Sequence, residues 1–481
     1  MIRLRRSSRV AAGAVLALGL AGASVPALAG PAAAAGPQTL TGTLPDGATY
    51  KIEVPANWNG TLFLYSHGYV APGSANPATD VGDPITGAAM LAQGFALAGS
   101  SYARTGWAIE NALPDQIATL NVFDSQVGQP SRTIAWGHSL GGIITAGLIQ
   151  QFPGRFTAAL PMCGVLSGGV ATWNTALDSA FAFQQLVDPS VQVVNISIDP
   201  KNPTANLQNA IKTATAAQAT PAGRARLALS AALGDVPGWF TPLSPEPAAT
   251  DFAGQEQNQF LWDTQVDFPF AFLLRAELEG RAGGNPSWNT GVNYSAELFR
   301  SADYREVVAL YRAAHLNLNA DLNQLRHAQR IAAKPSAVSY LINNITFNGQ
   351  LTMPVLTMHT TGDGLVVPQN EQAYRAAVDR AGQGALLRQI FVHRAGHCAF
   401  TPAETLTAVH ELLSRLNTGQ WGAAVTSPAA LNTEAGALGL QFNVFASGGK
   451  LVPTSPAFIP FRPTVYPRPF NRPPFGFQTA K

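Results

Sequence analysis

The segment at 137–141, GHSLG in one-letter code, has the residue types and spacing of a serine nucleophile held in a tight turn. It follows a predicted strand at 132–137 and precedes a predicted apolar helix at 140–152. A sharp strand-to-helix turn presents a serine hydroxyl above the sheet, and glycines two residues before and after it leave room for the turn. The pattern indicates acyl transfer through Ser139. The alternative is a glycine-rich turn that merely contains a serine, and the flanking elements favour the nucleophile.

The run GHSLGG at 137–142 resembles the nucleophile turn of lipases and esterases in the α/β-hydrolase family. The resemblance covers about residues 40–165 and 350–416. It implies an eight-stranded sheet and a chain order of serine, acid and histidine. The predicted fold class is α/β, an α/β-hydrolase fold. We expect a mostly parallel, doubly wound sheet, a large helical cap insertion and a proline-rich C-terminal tail.

Asp363 is the candidate for the acid. It lies in a Gly-Asp-Gly turn just after a predicted buried strand at 353–359, which is where the family keeps its triad acid. There its carboxylate would accept a hydrogen bond from the imidazole, fix the tautomer and stabilise the imidazolium. An aspartate that serves only the turn is the alternative. The position in the pattern favours the catalytic role.

Three histidines are candidates for the base. His359 lies before the acid and is therefore out of order. His393 ends a predicted strand, where it could point into the core or into solvent. His397 lies in the following loop, after a glycine and before a predicted helix, and this is the family's position for the base. The predicted triad is Ser139, Asp363 and His397.

Two backbone N–H groups would form the oxyanion hole. The family takes one from the residue after the nucleophile, here Leu140, and the other from the loop after an early strand. The sequence SHGY at 66–69 occupies that loop and resembles the family's HG motif, so the N–H of Tyr69 is the second candidate. His67 is as well suited to shaping the loop as to contacting substrate.

Cys163 and Cys398 are the only cysteines in the chain. Pairing is the default for an even number of cysteines in an exported protein. The fold that the resemblance implies places both at the carboxyl edge of the sheet, beside the catalytic loops. We therefore predict a disulfide between them that fixes the histidine loop.

The chain divides by pattern into four parts. The segment at 1–29 has a basic start, an apolar run and a small-residue cleavage pattern, which predict a secretory signal peptide and an extracellular protein. A membrane anchor is the alternative, but the run is short for a spanning helix. The predicted parts are a signal peptide at 1–29, a core at 38–165 and 351–418, a helical cap at 166–350 and a Gly/Pro-rich extension at 419–481.

The composition and the absence of certain motifs exclude several classes of function. Of 481 residues, 46% are hydrophobic and 12% charged, with a net charge of +2, so we expect a globular protein without a nucleic-acid partner or a stable membrane span. We find no HExxH, paired CxxC or dinucleotide motif, and therefore predict no metal and no cofactor. The oligomeric state stays open. The extension should lie along the body or bind something extended.

The expected function is hydrolysis of carboxylic esters in small or polymeric substrates by a secreted serine hydrolase. Lipid, polyester, acetylated carbohydrate and aromatic ester all stay open as substrates. A serine aminopeptidase of the same fold is an alternative, and a non-catalytic binding protein is another. A peptidase would need acids to hold a free amino terminus. The candidate acids are Glu110, Asp115, Glu277 and Glu279, and the cap aromatics that could line a pocket are Trp239, Phe240, Phe260, Trp262 and those at 268–272.

Overall fold

A computed structural model describes residues 36–447 and 450–470. The predicted signal peptide at 1–29 and the last residues of the extension, 471–481, lie outside the described residues. Among the described residues, no helix is both long enough and apolar enough to cross a bilayer.

One sheet of nine strands forms the core, in the order β1-β2-β4-β3-β5-β6-β7-β8-β11. Strands β3 to β8 run parallel to one another, whereas β1, β2 and β11 pair antiparallel at the two edges. The small hairpin of β9 and β10 is separate. The strands are β1 Gln38–Thr43, β2 Thr49–Val54, β3 Thr61–Ser66, β4 Ala96–Ser100, β5 Arg132–His138, β6 Ala158–Met162, β7 Val355–Gly362, β8 Leu387–Ala395, β9 Val444–Ser447, β10 Lys450–Pro453 and β11 Phe458–Ile459.

Helices cover both faces of this sheet and form the cap. Those of the core and extension are α1 Pro84–Ala92, α2 Ile109–Gln126, α3 Leu140–Gln151, α13 Gln369–Arg380, α14 Pro402–Thr418 and α15 Pro428–Ala437. Those of the cap are α4 Gly169–Leu186, α5 Ala205–Gln218, α6 Pro221–Ala232, α7 Phe252–Trp262, α8 Arg275–Ala282, α9 Tyr294–Arg300, α10 Tyr304–Ala313, α11 Leu318–His327 and α12 Pro335–Asn343.

The central strands are apolar on both sides because helices bury both faces. In β3, Leu62 and Leu64 pack with α2, α3 and α13, whereas Phe63 and Tyr65 pack on the opposite side with α1 and α14. This alternation follows from the two-residue period of a strand. Continuous apolar runs are typical of parallel strands covered on both faces, so this sheet can hold loops rigidly at its carboxyl edge.

The strand order places a crevice beside β5. The chain passes from β3 to β4 on one side and then returns to β5 on the other side of β3. Loops that leave β3 and β5 therefore diverge, and ligands bind in such a crevice at the carboxyl ends of open α/β sheets. This topology, with a strand-to-helix turn between β5 and α3, confirms the α/β-hydrolase fold predicted from the sequence.

The cap lies between β6 and β7 and has hydrophobic clusters of its own. Its helices α7 and α8 are joined by two π-helical segments, Asp263–Asp267 and Phe270–Leu274, on either side of Pro269. Proline cannot donate a hydrogen bond, and its ring clashes with the carbonyl four residues earlier. The widened turns are consistent with that constraint, and π-helical turns often occur at functional sites.

The C-terminal extension is part of the core sheet rather than only an arm on its surface. Its strand β11 pairs with Phe391 and Val392 of β8, so the sheet has nine strands and not the eight that the resemblance implies. The extension also contains helix α15. Prolines exclude a central strand but permit an edge strand such as β11.

Candidate active site

Ser139 lies between β5 and α3 with φ 59° and ψ −124°, a conformation that a residue with a side chain seldom adopts. Its N–H donates to Met162 O at 3.0 Å, which ties the turn to the neighbouring strand β6. A Cβ at Gly141 or Gly137 would collide with the carbonyl oxygen of Ser66. The two glycines therefore let the turn press against β3 and expose the serine hydroxyl.

Ser139, His397 and Asp363 form one hydrogen-bonded chain. The Oγ of Ser139 lies 2.7 Å from Nε2 of His397, and Nδ1 of His397 lies 2.8 Å from Oδ2 of Asp363. Asp363 is fully buried, and its Oδ1 accepts a hydrogen bond from Val366 N at 2.9 Å. This is the geometry in which an imidazole can take a proton from serine while a carboxylate holds its other nitrogen.

The other two histidines occupy different environments. The side chain of His393 is 41% exposed and lies outside the hydrogen-bonded triad. Its Nε2 lies 3.3 Å from Oε2 of Glu246. His359 is fully buried behind Asp363, with Nε2 3.7 Å from Oδ2 of Asp363 and 2.7 Å from Val366 O. The structure therefore brings His397, and not His393, to Ser139.

His359 forms a buried network that sequence reasoning missed. Its Nδ1 lies 3.1 Å from Oε1 of Glu371 on α13. Burial alone would lower the pKa of His359, but the hydrogen bond and the charge of Glu371 raise it overall. His359 thus lies between the carboxyl groups of Asp363 and Glu371 and supports the acid of the hydrogen-bonded triad from behind. No local motif marks this role, because it depends on β7 and α13 packing together.

Both candidate oxyanion donors border the nucleophile. Leu140 is the first residue of α3, and the first N–H groups of a helix have no partner within the helix. A Cβ at Gly68 would lie 3.3 Å from the Cβ of Ser139, so the loop that carries Tyr69 runs against the serine. Tyr69 and Leu140 both line the cavity above Ser139.

His67 braces this loop from below. Its Nδ1 lies 2.8 Å from Gly68 O, and its Nε2 lies 3.1 Å from Ser101 O. Its ring stacks on Tyr102 with the centroids 3.9 Å apart, and the Tyr102 hydroxyl donates to His67 O at 3.0 Å. The sequence allows His67 either to shape the loop or to contact substrate, and these contacts correspond to shaping the loop.

Cys163 and Cys398 are joined in the disulfide that the sequence predicts, which closes a separation of 235 residues. The Sγ of Cys398 lies 3.4 Å from Nε2 of His397. Cys163 follows β6, and its N–H donates to Met358 O of β7 at 2.8 Å. The disulfide therefore fixes the histidine loop to the middle of the sheet.

An apolar cavity between the sheet edge and the cap opens onto Ser139. Of the aromatic cap residues considered from the sequence, Phe268, Phe270 and Phe272 line it. The remaining four, Trp239, Phe240, Phe260 and Trp262, are not among its lining residues and pack within the cap or against the core. The two π-helical segments supply much of this wall. The other aromatic lining residues are Tyr69, Trp107, Trp173 and Tyr466.

The acids considered for a peptidase do not reach this cavity. Glu110 and Glu277 pair with Arg281, and Glu279 pairs with Arg275. Asp115 accepts a hydrogen bond from Ala103 N at 2.8 Å. The lining instead contains Asp263 and Asp267, which sequence reasoning did not single out.

The extension also contributes to the cavity wall. Tyr466 is buried among Ala171 and Val367, and its N–H donates to Oε1 of Gln372 at 3.1 Å. Arg468 donates to Trp288 O at 3.0 Å and forms an ion pair with the buried Asp178 of α4. These contacts join the extension to both the core and the cap.

The chain is similar to one curated amidase and, at lower identity, to solved esterase structures. No protein-family model matches the chain. It is 29% identical over 442 residues to an o-phthalyl amidase of Xanthobacter agilis, covering 86% of this chain and 94% of the relative. Solved structures that resemble it include an esterase of Aspergillus oryzae, with 12% identity, TM-score 0.40 and coverage of 80% and 79% of the two chains. Feruloyl esterase B of Aspergillus oryzae has 12% identity, TM-score 0.40 and coverage of 88% and 85%.

Proposed function

We propose that this protein is a secreted serine hydrolase that cleaves carboxylic ester bonds through an acyl-enzyme. The observation that carries the proposal is the hydrogen-bonded chain from Ser139 through His397 to Asp363 at the mouth of an apolar cavity. Export is supported by the signal pattern at 1–29 and by the disulfide, because disulfides persist in oxidising compartments.

The geometry suits the two half-reactions of acyl transfer. Ser139 Oγ attacks the acyl carbon while His397 Nε2 takes its proton, and the oxyanion accepts hydrogen bonds from the N–H groups of Leu140 and Tyr69. His397 then protonates the leaving oxygen as the acyl bond breaks. Water, deprotonated by His397, cleaves the acyl-enzyme and regenerates the serine.

Amide hydrolysis is the second candidate, because the relative that covers most of the chain is named an amidase. The same residues can cleave an amide when His397 protonates the leaving nitrogen. The four acids considered for holding a free amino terminus are occupied elsewhere, which weakens the aminopeptidase alternative.

A matched substrate panel separates these candidates. Benzoyl and butanoyl p-nitrophenyl esters are compared with the p-nitroanilides of the same acids, using the mature protein. We expect kcat/KM to be higher for the esters, and Ser139→Ala to abolish both activities. Turnover of the anilides alone would contradict ester hydrolysis and favour the amidase.

A further inference from the structure

Two carboxyl side chains face the cavity that holds Ser139. Asp263 and Asp267 stand four residues apart in the first π-helical segment, where Phe268 N donates to Asp263 O. Both line the cavity, and Asp263 is only 2% exposed. The widened turn therefore presents two acids side by side to any substrate bound over the serine.

These two acids lack the cationic partner that some other buried acids of this protein have. Asp178 pairs with Arg468, and Glu404 pairs with Arg394. Within 36–447 and 450–470, the Oδ2 of Asp267 is buried without a hydrogen-bond partner, and neither Asp263 nor Asp267 takes part in an ion pair. Burial of an unpaired carboxyl is costly, so such groups in a ligand cavity point to a partner supplied by the ligand.

The acids also lie close to other negative groups. Burial raises the pKa of Asp267 well above its usual range, and the nearby charges of Asp263 and Asp363 raise it further. Burial and the nearby Glu256 raise the pKa of Asp263 to about 8. A cation bound between Asp263 and Asp267 would lower both pKa values and be bound with release of protons, which leaves the carboxylates as its counter-charge, whereas an anion would raise them further.

The rest of the lining matches an organic cation. Among the described residues, the lining contains no lysine or arginine, and seven aromatic side chains line the cavity together with the two acids. Phe270 packs edge-on to Tyr69 with the centroids 5.1 Å apart, and Phe268 packs on Phe272 at 4.9 Å. Aromatic faces attract amines and quaternary ammonium groups, most strongly where water is excluded.

We infer, on the premise of the proposed function, that the preferred substrates carry a positively charged nitrogen on an apolar body. Asp263 and Asp267 supply the counter-charge, and the aromatic side chains Tyr69, Phe268 and Phe270 surround the cation. The two aspartates are thus specificity-determining residues of the same site, and the substrate class is an ester or amide that also bears an ammonium or quaternary ammonium group.

Three p-nitrophenyl butanoates of matched shape test this inference. Their acyl chains end in a trimethylammonium, a tert-butyl or a carboxylate group. We expect kcat/KM for the cationic ester to exceed that for the tert-butyl ester by roughly ten- to hundredfold, the range that charge pairing and cation–π contact give in a desolvated pocket. The carboxylate ester should be the poorest of the three. A cationic-to-neutral ratio of one or less in the wild type would overturn the inference, even with the neutral ester turned over well.

The double variant Asp263→Asn/Asp267→Asn separates charge from hydrogen bonding. It removes both negative charges but keeps side-chain groups that can donate a hydrogen bond. We expect the cationic-to-neutral ratio to fall to about one tenth of its wild-type value or less. Asp379→Asn, at an acid with a 57% exposed side chain on α13, is the matched control and should leave the ratio unchanged. An unchanged ratio in the double variant would mean that the acids do not recognise charge.

Calorimetric titration with benzyltrimethylammonium tests the site without turnover. We expect binding to the wild type and to Ser139→Ala, and at least about tenfold weaker binding to the double variant. If no ester is cleaved but this binding pattern holds, then the proposed function fails and the cation site stands. No difference between wild type and double variant would overturn the cation site.

Discussion

Asp363 is held on both of its oxygens, by Val366 N and by His397 Nδ1. Asp363→Asn keeps the size of the side chain, but its amide N–H₂ can face Nδ1 and leave the proton on Nε2. Because Nε2 must accept the serine proton, we expect kcat to fall by about ten-thousandfold, as for the same change in other serine triads, with KM altered only a few-fold. Steady-state ester kinetics measure this. Asp379→Asn is the control, and a loss below about tenfold would exclude Asp363 as the triad acid.

The sequence allows the prediction of residues whose roles follow from local pattern and chain order. Ser139 lies between glycines, and Asp363 and His397 follow in the family's order. Asp263 and Asp267 could not be predicted, because two acids four residues apart on a helix are usually a solvated face. Their burial depends on a π-helical turn and on how the cap closes over the sheet.

At the scale of elements, Arg468 of the extension forms an ion pair with Asp178 of the cap helix α4. The Asp178 side chain is fully buried and also accepts a hydrogen bond from the Tyr294 hydroxyl. Arg468→Met would leave this carboxyl without its cation. We expect a loss of roughly 3–5 kcal/mol in the free energy of unfolding, the usual cost of breaking a buried pair from one side. KM should rise as well, because Tyr466 on the same segment lines the cavity.

Denaturant unfolding measures the loss of stability, and ester kinetics measure the rise in KM. The double variant Arg468→Met/Asp178→Asn is the matched control, since it removes the orphaned charge together with its partner. It should recover at least half of the lost stability. If Arg468→Met alone costs less than about 1 kcal/mol, the extension does not hold the cap in this way.

Elements of the core were more predictable than those of the cap. The strands from β1 to β8 follow alternating or continuous apolar runs. The helix-favouring run at 216–233 is divided between α5 and α6, because Pro221 begins a new helix at its first position. The helix-favouring run at 320–333 leaves α11 at His327, and Ile331 N instead donates to Asn289 Oδ1 at 2.7 Å. The two-residue strand β11 has no local signal, since only its pairing with β8 defines it.

At the scale of the whole molecule, a group of buried carboxyls links the stability of the fold to pH. Burial, strengthened in Asp263 and Glu306 by neighbouring acids, raises the pKa of Asp235 and Glu256 to about 7, of Asp263 to about 8 and of Glu306 to about 9. The folded state thus holds protons that the unfolded chain releases near pH 4. The stability that these four groups contribute is then fully present below about pH 4 and is lost as pH rises toward about 9. We expect Tm to decrease steadily from pH 5 to pH 9, measured by calorimetry without bound ligand.

Glu306→Gln tests the origin of this slope. The glutamine can still accept the hydrogen bond that Gln259 donates at 3.0 Å, but it no longer ionises. We expect a higher Tm than the wild type at pH 9, a smaller difference at pH 5, and hence a flatter profile. Glu246→Gln, at an exposed acid, is the control. A wild-type Tm that rises from pH 5 to pH 9 would contradict this account of the buried acids.

The central claim is that Ser139 is a nucleophile activated by His397, and covalent labelling tests it most directly. The mature protein is treated with a fluorophosphonate, digested and examined by mass spectrometry, alongside the variants Ser139→Ala and His397→Ala. We expect one phosphonylated serine, Ser139, in the wild type, none in Ser139→Ala, and labelling at least about a hundredfold slower in His397→Ala. An unlabelled wild type, or ester turnover that persists in Ser139→Ala, would contradict the claim.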